Sequence, residues 1–438
     1  MTDARAATAE DAVRIPSARP RLELVDRSDA AMMSIGTVAS GLLAYAFNVV
    51  AARSLGPEAY GAVGALWASM FLIAVLLFRP LEQTVSRTVS DGIARHMDTR
   101  PVVHRATWMA ALIALIASLV LLAAWNVITD GLFGDRPVLT AALIVGVAGY
   151  AASYLVRGVC GGVRWFGGYG LLLLSDGAVR VLIALPLVFV ASPPIAAAAV
   201  ALAAWGGAVA PFLSRHRGAL DRLRAGAVPS ELHVGAAMRF GLPAVAIAGS
   251  EQVLISGGPL LVLIGGGPNA ARDAGVVFAA TLLLRAPVFL FQGIQASLLP
   301  SLTTFEARGD HAEARRATVL TAGILAGFAG LVALAALAGG PLVMSLLYGD
   351  GFSATSTDLA ILALGVGGFL AAGTFCQALL ARARTGLAAA CWMSGAAVFV
   401  ATELLLSGTV MHRVCLAFSA GSLLVAALMI AAVWRTAP

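Results

Sequence analysis

The sequence predicts an all-α polytopic membrane protein with about twelve transmembrane helices arranged in two six-helix lobes. Of its 438 residues, 60% are hydrophobic and only 12% are charged, and the mean hydropathy is +0.90. Apolar runs of about 20 residues, the length that an α-helix needs to cross the hydrocarbon core, recur along most of the chain. These observations exclude a water-soluble enzyme.

The predicted spans follow a polar first segment. Residues 1–30 mix arginines with acids and prolines and show no sustained apolar face, so we expect a disordered cytoplasmic tail. The N-lobe covers 31–214, with spans predicted at 31–52, 58–80, 104–128, 137–160, 166–191 and 194–214. A basic cytoplasmic linker over 215–236 leads to the C-lobe over 237–434, with spans predicted at 237–264, 272–299, 315–347, 356–382, 386–407 and 411–434. Residues 435–438 form a cytoplasmic C-terminus.

The basic residues orient these spans, and all 29 of them are arginines. Most lie in segments that are cytoplasmic if the N-terminus is inside, whereas the external loops hold only Arg53, Arg136, Arg272 and Arg413. Positive residues in short loops favour the cytoplasmic side, so both termini are predicted to be cytoplasmic. The composition, rich in arginine and alanine, favours a bacterial cytoplasmic (inner) membrane.

Several chemistries lack the residues that they require. Without lysine the chain can build neither a P-loop nor a Schiff base. The four cysteines and six histidines show no metal-ligand spacing. The sequence therefore predicts a transporter with no ATP site, no metal, no cofactor and no nucleic-acid partner.

The two halves of the chain repeat the same spacing of spans. An offset of about 214 residues brings the six spans of the first half onto the six of the second, and it sets Gly56–Gly61 opposite Gly267–Gly275. Because six is an even number, both halves enter the membrane from the same side and form parallel repeats. Transporters with such repeats commonly bind substrate between the lobes, near the middle of the membrane.

A few charged residues fall inside spans, where each costs about 2.5 to 3.5 kcal/mol at the helix centre unless it faces protein or water. Asp176 and Arg180 stand four residues apart, so they can share a helix face and neutralise one another. Glu251 and Arg285 lie at similar depth on consecutive spans. They are interpreted either as a static interhelical ion pair or as parts of a functional site.

In the functional interpretation, arginines line a cationic cavity for an anionic head group, since guanidinium binds phosphate oxygens in a bidentate manner. The predicted substrate-binding residues are Arg79, Arg285, Arg180, Asn48, Gln83, Gln292 and Gln295. Glu251 is a candidate for H+ or Na+ coupling, together with Asp176 and Glu403. Gly257, Gly258 and Pro259 predict an interruption of the seventh span that acts as a gate.

The segment Ala52-Arg53-Ser54-Leu55-Gly56-Pro57-Glu58-Ala59-Tyr60-Gly61, with Arg79-Pro80-Leu81-Glu82-Gln83 after the next apolar run, resembles the polysaccharide transporter family of O-antigen and capsule flippases. Arg180 in the fifth span and Leu347-Tyr348-Gly349-Asp350-Gly351-Phe352 are further matches. That family belongs to the multidrug, oligosaccharidyl-lipid and polysaccharide exporter superfamily. The resemblance implies two lobes that form a V-shaped central cavity.

The resemblance also implies a function. We expect a flippase that moves a polyprenyl-diphosphate-linked oligosaccharide from the cytoplasmic to the outer leaflet by alternating access, for cell-surface polysaccharide biosynthesis. Its expected partners are the lipid-linked glycan, the bilayer, and a glycan polymerase or glycosyltransferases of the same pathway. One alternative is a cation-coupled multidrug or metabolite exporter of the same superfamily, with Glu251 and Asp176 as its acidic groups. A membrane glycosyltransferase is the other, and the short external loops argue against it.

Overall fold

The structure is a computed structural model that describes residues 27–215, 217–224, 226, 228–229, 234–284 and 311–435. Within these ranges the chain is almost entirely helical. The helices are α1 (Arg27–Ala94), α2 (Arg100–Ala123), α3 (Trp125–Gly131), α4 (Pro137–Gly162), α5 (Phe166–Ala184), α6 (Pro193–Leu213), α7 (Val234–Gly265), α8 (270–284), α9 (His311–Tyr348), α10 (Ser356–Ala381), α11 (Thr385–Leu405) and α12 (Val410–Arg435). The other elements are the 3-10 helices Leu185–Val188 and Arg217–Arg224 and the strands β1 (Met97–Asp98) and β2 (Val228–Pro229).

The first two predicted spans form one helical run, α1, which changes direction at Gly56. Gly56 has φ 72° and ψ 169°, a conformation that glycine adopts without the steric cost of a Cβ. Pro57 follows, and proline fits the first turn of a helix because that turn leaves its N–H groups unbonded. We call the two halves α1a (27–55) and α1b (57–94). Because α1b continues to Ala94, most of the connection expected at 81–103 is helical.

The helices pack as two groups with the same internal order. In the N-lobe, α1 packs on α4 and α5, α5 on α6, α6 on α4, and α4 on α2. In the C-lobe, α7 packs on α11, α11 on α12, α12 on α10, and α10 on α9. Ten described helices are long and apolar enough to cross a membrane; α1 supplies two crossings, and α8 is described as far as Leu284. The predicted all-α fold in two six-helix lobes is confirmed.

The turns between helices lie at two opposite ends of the bundle. One end, here the Gly56 end, carries Gly56 and the connections 266–269, 349–355 and 406–409. At the other, here the linker end, the described linker docks onto the N-lobe: β2 pairs with β1 in parallel. The Thr99 N–H donates to the Leu223 carbonyl oxygen at 3.0 Å, and Arg222 donates to the Val163 carbonyl oxygen at 3.0 Å.

The lobes touch closely at the Gly56 end. A Cβ at Gly61 would overlap the carbonyl oxygen of Ala271, and a Cβ at Gly275 would overlap the carbonyl oxygen of Pro57. The contact is reciprocal, because Gly61 and Gly275 stand 214 positions apart in the chain, as do Pro57 and Ala271. The helices α1b and α8 are therefore equivalent elements of the two repeats, and they contact each other through equivalent residues.

The helix α7 is continuous through the segment that predicted a break. Gly257, Gly258 and Pro259 lie inside Val234–Gly265. The backbone therefore stays helical at these residues, the gating role remains a prediction, and the positive φ angles come after the helix, at Gly266 and Gly267. A Cβ at Gly257 would lie 2.9 Å from the Phe399 ring, and one at Gly258 would lie 2.9 Å from a Val414 methyl group. The two glycines thus allow α11 and α12 to approach α7 closely.

Candidate functional site

The centre of the N-lobe holds a buried ion pair. Arg180 on α5 is 2% exposed and donates to Asp176 Oδ1 at 2.8 Å. The predicted pairing of these two residues is confirmed. The guanidinium of Arg180 also lies 4.3 Å from the ring centroid of Trp67 on α1b, within the range of a cation–π contact, and an Nη atom is 3.4 Å from the Tyr150 hydroxyl.

A strip of aromatic rings runs beside this ion pair along α1 and α4. Successive ring centroids are 5.7, 5.4, 5.3 and 6.2 Å apart, distances at which aromatic pairs attract one another. Trp67 and Phe71 are only partly buried, so the strip has an accessible face. We call it the aromatic strip; in order it comprises Phe47, Trp67, Phe71, Tyr150 and Tyr154.

A second arginine, Arg157, lies at the end of the strip nearest the linker end. Its guanidinium is 4.8 Å from the Tyr154 ring centroid. Its Nε atom is buried and has no hydrogen-bond partner among the described residues. Beside it, the Tyr169 hydroxyl donates to Glu82 Oε1 at 3.0 Å, and the charges of Glu82 and Arg157 lie close enough to interact.

The sequence reasoning missed Arg157. It stands five residues before the end of α4 (Pro137–Gly162), a position typical of the arginines that flank the cytoplasmic ends of spans. The available signal was its position on the same face of α4 as Tyr150 and Tyr154, at spacings of seven and three residues.

Arg79 links this cluster to the C-lobe. It is exposed on α1b, and its charge interacts with those of Glu82 on the same helix and Glu251 on α7. The two helices are adjacent at this depth, since a Cβ at Gly249 would lie 2.8 Å from a Leu76 methyl group. Arg79 and Glu251 therefore lie within electrostatic range of each other across the boundary between the lobes, which we call the lobe seam.

The remaining predicted residues are dispersed. Asn48 is 1% exposed and accepts a 3.0 Å hydrogen bond from the Tyr60 hydroxyl, so it is held inside the N-lobe near the Gly56 end. Gln83 is exposed on α1b. Glu403 is 3% exposed and pairs with Arg413 at 3.2 Å, which joins α11 to α12. Arg285, Gln292 and Gln295 lie outside the described residues.

The cluster combines arginine side chains with carboxylates. Within the N-lobe, the three arginines Arg79, Arg157 and Arg180 stand against the two carboxylates of Glu82 and Asp176, and Glu251 of the C-lobe adds a third carboxylate across the lobe seam. In the part of the chain that the structure describes, no three His, Cys, Asp or Glu residues are grouped so that they could hold a metal ion.

Comparisons with known proteins identify the fold. No family model matches the chain. An uncharacterised protein of Mycobacterium tuberculosis H37Rv is 26% identical over 358 residues, which are 74% of each chain. One of Mycobacterium bovis is 25% identical over 360 residues, 75% of this chain and 74% of its own.

Solved structures agree over nearly the whole chain. An inward-facing multidrug resistance MATE family transporter of the MOP superfamily superposes with a TM-score of 0.71 at 16% identity, covering 92% of this chain and all of that one. The Vibrio cholerae MATE transporter VcmN gives 0.64 at 13% identity, covering 93% and 96%. A MOP superfamily transporter of Pyrococcus furiosus, described as having a binding pocket of reverse polarity, gives 0.61 at 14% identity, covering 93% and 95%. The chain therefore has the fold of MATE transporters of the MOP superfamily.

Proposed function

We propose that the protein is a flippase that moves a polyprenyl-diphosphate-linked oligosaccharide from the cytoplasmic to the outer leaflet of a bacterial inner membrane. The observation that carries this proposal is the arginine cluster beside the aromatic strip, which opens to the lobe seam at Arg79. The arginine side chains suit an anionic head group, because guanidinium forms strong bidentate hydrogen bonds with phosphate oxygens. The partly buried rings of Trp67 and Phe71 offer flat apolar surface against which sugar rings can pack.

Movement of a lipid-linked glycan across the membrane requires both a cationic site and a cleft that is shielded from lipid. A diphosphate and its sugars must pass about 30 Å of hydrocarbon while the lipid tail stays in the bilayer. Charged groups within the membrane are tolerated where they face protein or a wet cavity, so a cationic cleft between lobes lowers the barrier. No covalent bond changes in this process.

The arrangement of the lobes fits loading from the cytoplasm. In this proposal the linker end faces the cytoplasm, as the arginine distribution predicts. The contact of Gly61 with Ala271 and of Gly275 with Pro57 closes the opposite, outer end. Release to the outer leaflet then requires that this contact open while the lobes close at the linker end, which is alternating access between repeats.

In this proposal the transport cycle is driven by the membrane potential and by removal of the flipped product. The membrane potential supplies about 2.3 kcal/mol per charge per 100 mV, and an inside-negative potential favours outward movement of an anion. Consumption of the flipped glycan by a polymerase or glycosyltransferase on the outer face also draws the cycle forward.

The test is depletion of the protein in its host, followed by mass spectrometry of extracted polyprenyl-diphosphate glycans. An impermeant lectin or glycosidase reports the leaflet. We expect a completed lipid-linked glycan to accumulate on the cytoplasmic side and to be cleared by the wild-type gene and by the surface variant Arg95→Ala. Arg79→Ala and Arg285→Ala are expected not to clear it, although both variants insert normally. An unchanged glycan pool after depletion contradicts the proposal.

A cation-coupled drug or metabolite exporter is the second candidate. Two observations favour it: the structural neighbour described as a multidrug resistance transporter and the partly buried carboxylate of Glu251 at the lobe seam. The same depletion strain separates the two functions. New sensitivity to cationic compounds with an unchanged glycan pool would assign the exporter function, and Glu251→Gln would then abolish resistance.

A further inference from the structure

Arg157 is a partly buried cation whose buried Nε atom has no hydrogen-bond partner among the described residues. The fully buried Arg180 also has an Nε atom without a partner among the described residues, but its Nη2 atom lies 2.8 Å from a carboxylate oxygen of Asp176. Arg157, by contrast, forms no direct ion pair with any carboxylate of the described residues. Among the described residues, the Tyr154 ring lies against it, with its centroid 4.8 Å from the guanidinium carbon. Buried charged donors without partners are costly, so a ligand that supplies acceptors would be strongly favoured there.

Glu82 is a carboxylate within electrostatic range of Arg157, and a hydrogen bond from Tyr169 holds it in place. The Tyr169 hydroxyl donates to Glu82 Oε1 at 3.0 Å. Close packing of the helices also fixes the position of Glu82, since a Cβ at Gly158, the residue next to Arg157, would lie 2.9 Å from the Glu82 carbonyl oxygen. The carboxylate therefore lowers the positive potential around Arg157 and Arg79 without forming a direct ion pair with Arg157.

We propose that Arg157, with Arg79 beside it, binds the phosphate-type anionic group of the transported molecule, and that Glu82 is a built-in counter-charge that keeps this binding weak enough for release. The inference rests on the proposed function, since it names the residues that contact the charged part of that substrate. A conduction site must bind well enough to admit its ligand and weakly enough to let it leave. Arg157 serves the first requirement and Glu82 the second.

The two roles predict opposite effects of substitution. Arg157→Gln removes charge-assisted hydrogen bonds and is expected to weaken anion binding about tenfold or more. Glu82→Gln removes the counter-charge but keeps an acceptor for Tyr169, so it is expected to tighten binding and to slow turnover. Tyr169→Phe releases the carboxylate to approach Arg157, and it is expected to weaken binding while leaving every charge in place.

The experiment uses the full chain, purified and reconstituted in phosphatidylcholine nanodiscs, which carry no anionic lipid. Binding of radiolabelled farnesyl diphosphate is measured directly, and inorganic pyrophosphate is the competitor. The matched controls are Arg95→Gln and Glu58→Gln, which make the same changes as Arg157→Gln and Glu82→Gln at exposed residues. Preference for farnesyl diphosphate assigns a lipid-linked anion, and equal affinity for pyrophosphate assigns a free one.

The outcomes are decisive because the variants move in opposite directions. Weaker binding by Arg157→Gln together with tighter binding by Glu82→Gln supports the inference, and a misfolded Arg157 variant leaves the Glu82 and Tyr169 arms to decide it. No binding by the wild type, wild-type affinity in Arg157→Gln, or unchanged affinity in Glu82→Gln overturns it. If glycan accumulates in the depletion strain but binding does not depend on Arg157, this inference is wrong and the proposed function stands. If binding depends on Arg157 but no glycan accumulates, the proposed function is wrong and the anion site stands.

Discussion

Removal of Asp176 tests whether the buried ion pair in the N-lobe is structural or functional. In Asp176→Ala, Arg180 keeps its charge at 2% exposure but loses the carboxylate at 2.8 Å. The contacts that remain are the Trp67 ring at 4.3 Å and the Tyr150 hydroxyl at 3.4 Å. Loss of one partner of a buried pair costs about 3 to 5 kcal/mol, because the other charge is left uncompensated.

The double variant Asp176→Leu/Arg180→Met provides the contrast. Replacement of a buried pair by apolar residues of similar volume is often neutral or stabilising. We therefore expect the free energy of unfolding to fall by about 3 to 5 kcal/mol in Asp176→Ala and to recover most of that loss in the double variant.

The assay is denaturation in mixed micelles followed by tryptophan fluorescence, with glycan clearance by the same variants in the depletion strain. A stable double variant that clears glycan makes the pair purely structural. A stable double variant that does not clear it places Arg180 in transport, as the sequence predicts. A double variant as unstable as Asp176→Ala refutes the reasoning, because the cost would not then come from an unpaired charge.

Further predictions concern the contact between lobes, the lobe seam and the C-lobe. Gly61→Val places a side chain against the backbone of α8 and is expected to stop transport without impairing insertion, whereas Gly131→Val, which meets open space, should clear glycan normally. Arg79→Ala is expected to lose clearance at unchanged unfolding free energy because its side chain is exposed; a loss of stability would argue for a structural role. Arg413→Gln strands the buried Glu403 carboxylate and should lower stability by about 1.5 to 3 kcal/mol; the double variant Glu403→Leu/Arg413→Met, if it folds and still transports, removes Glu403 from the coupling candidates.

Periodicity and spacing predicted the features that depend on a single helix. The apolar runs gave the spans, and the four-residue separation of Asp176 and Arg180 gave their ion pair, because helix geometry fixes which residues are neighbours. The break at Gly56 followed from glycine and proline at one turn.

Periodicity and spacing did not predict features that depend on contacts with side chains of another helix. Gly257 and Gly258 predicted a weak point in α7, whereas the close approach of Phe399 and Val414 on other helices could not be read from the sequence. Asn48 resembled a cavity residue until Tyr60 proved to satisfy it. Arg157 lies near the end of its span, as flanking arginines do, and the sequence did not show that Tyr169 and Glu82 from two other helices lie beside it.

The reciprocal contact at the Gly56 end has the symmetry of the interface in a two-fold homodimer, although it lies within one chain. Gly61 meets Ala271 as Gly275 meets Pro57, and Gly64 meets its own counterpart Phe278, 214 positions away. Such an interface is isologous: each half carries both complementary surfaces. The geometry is what duplication and fusion of a self-associating six-helix ancestor would leave behind. It also means that residues 1–214 and 215–438, produced as separate chains, should recognise each other through this patch and reassemble.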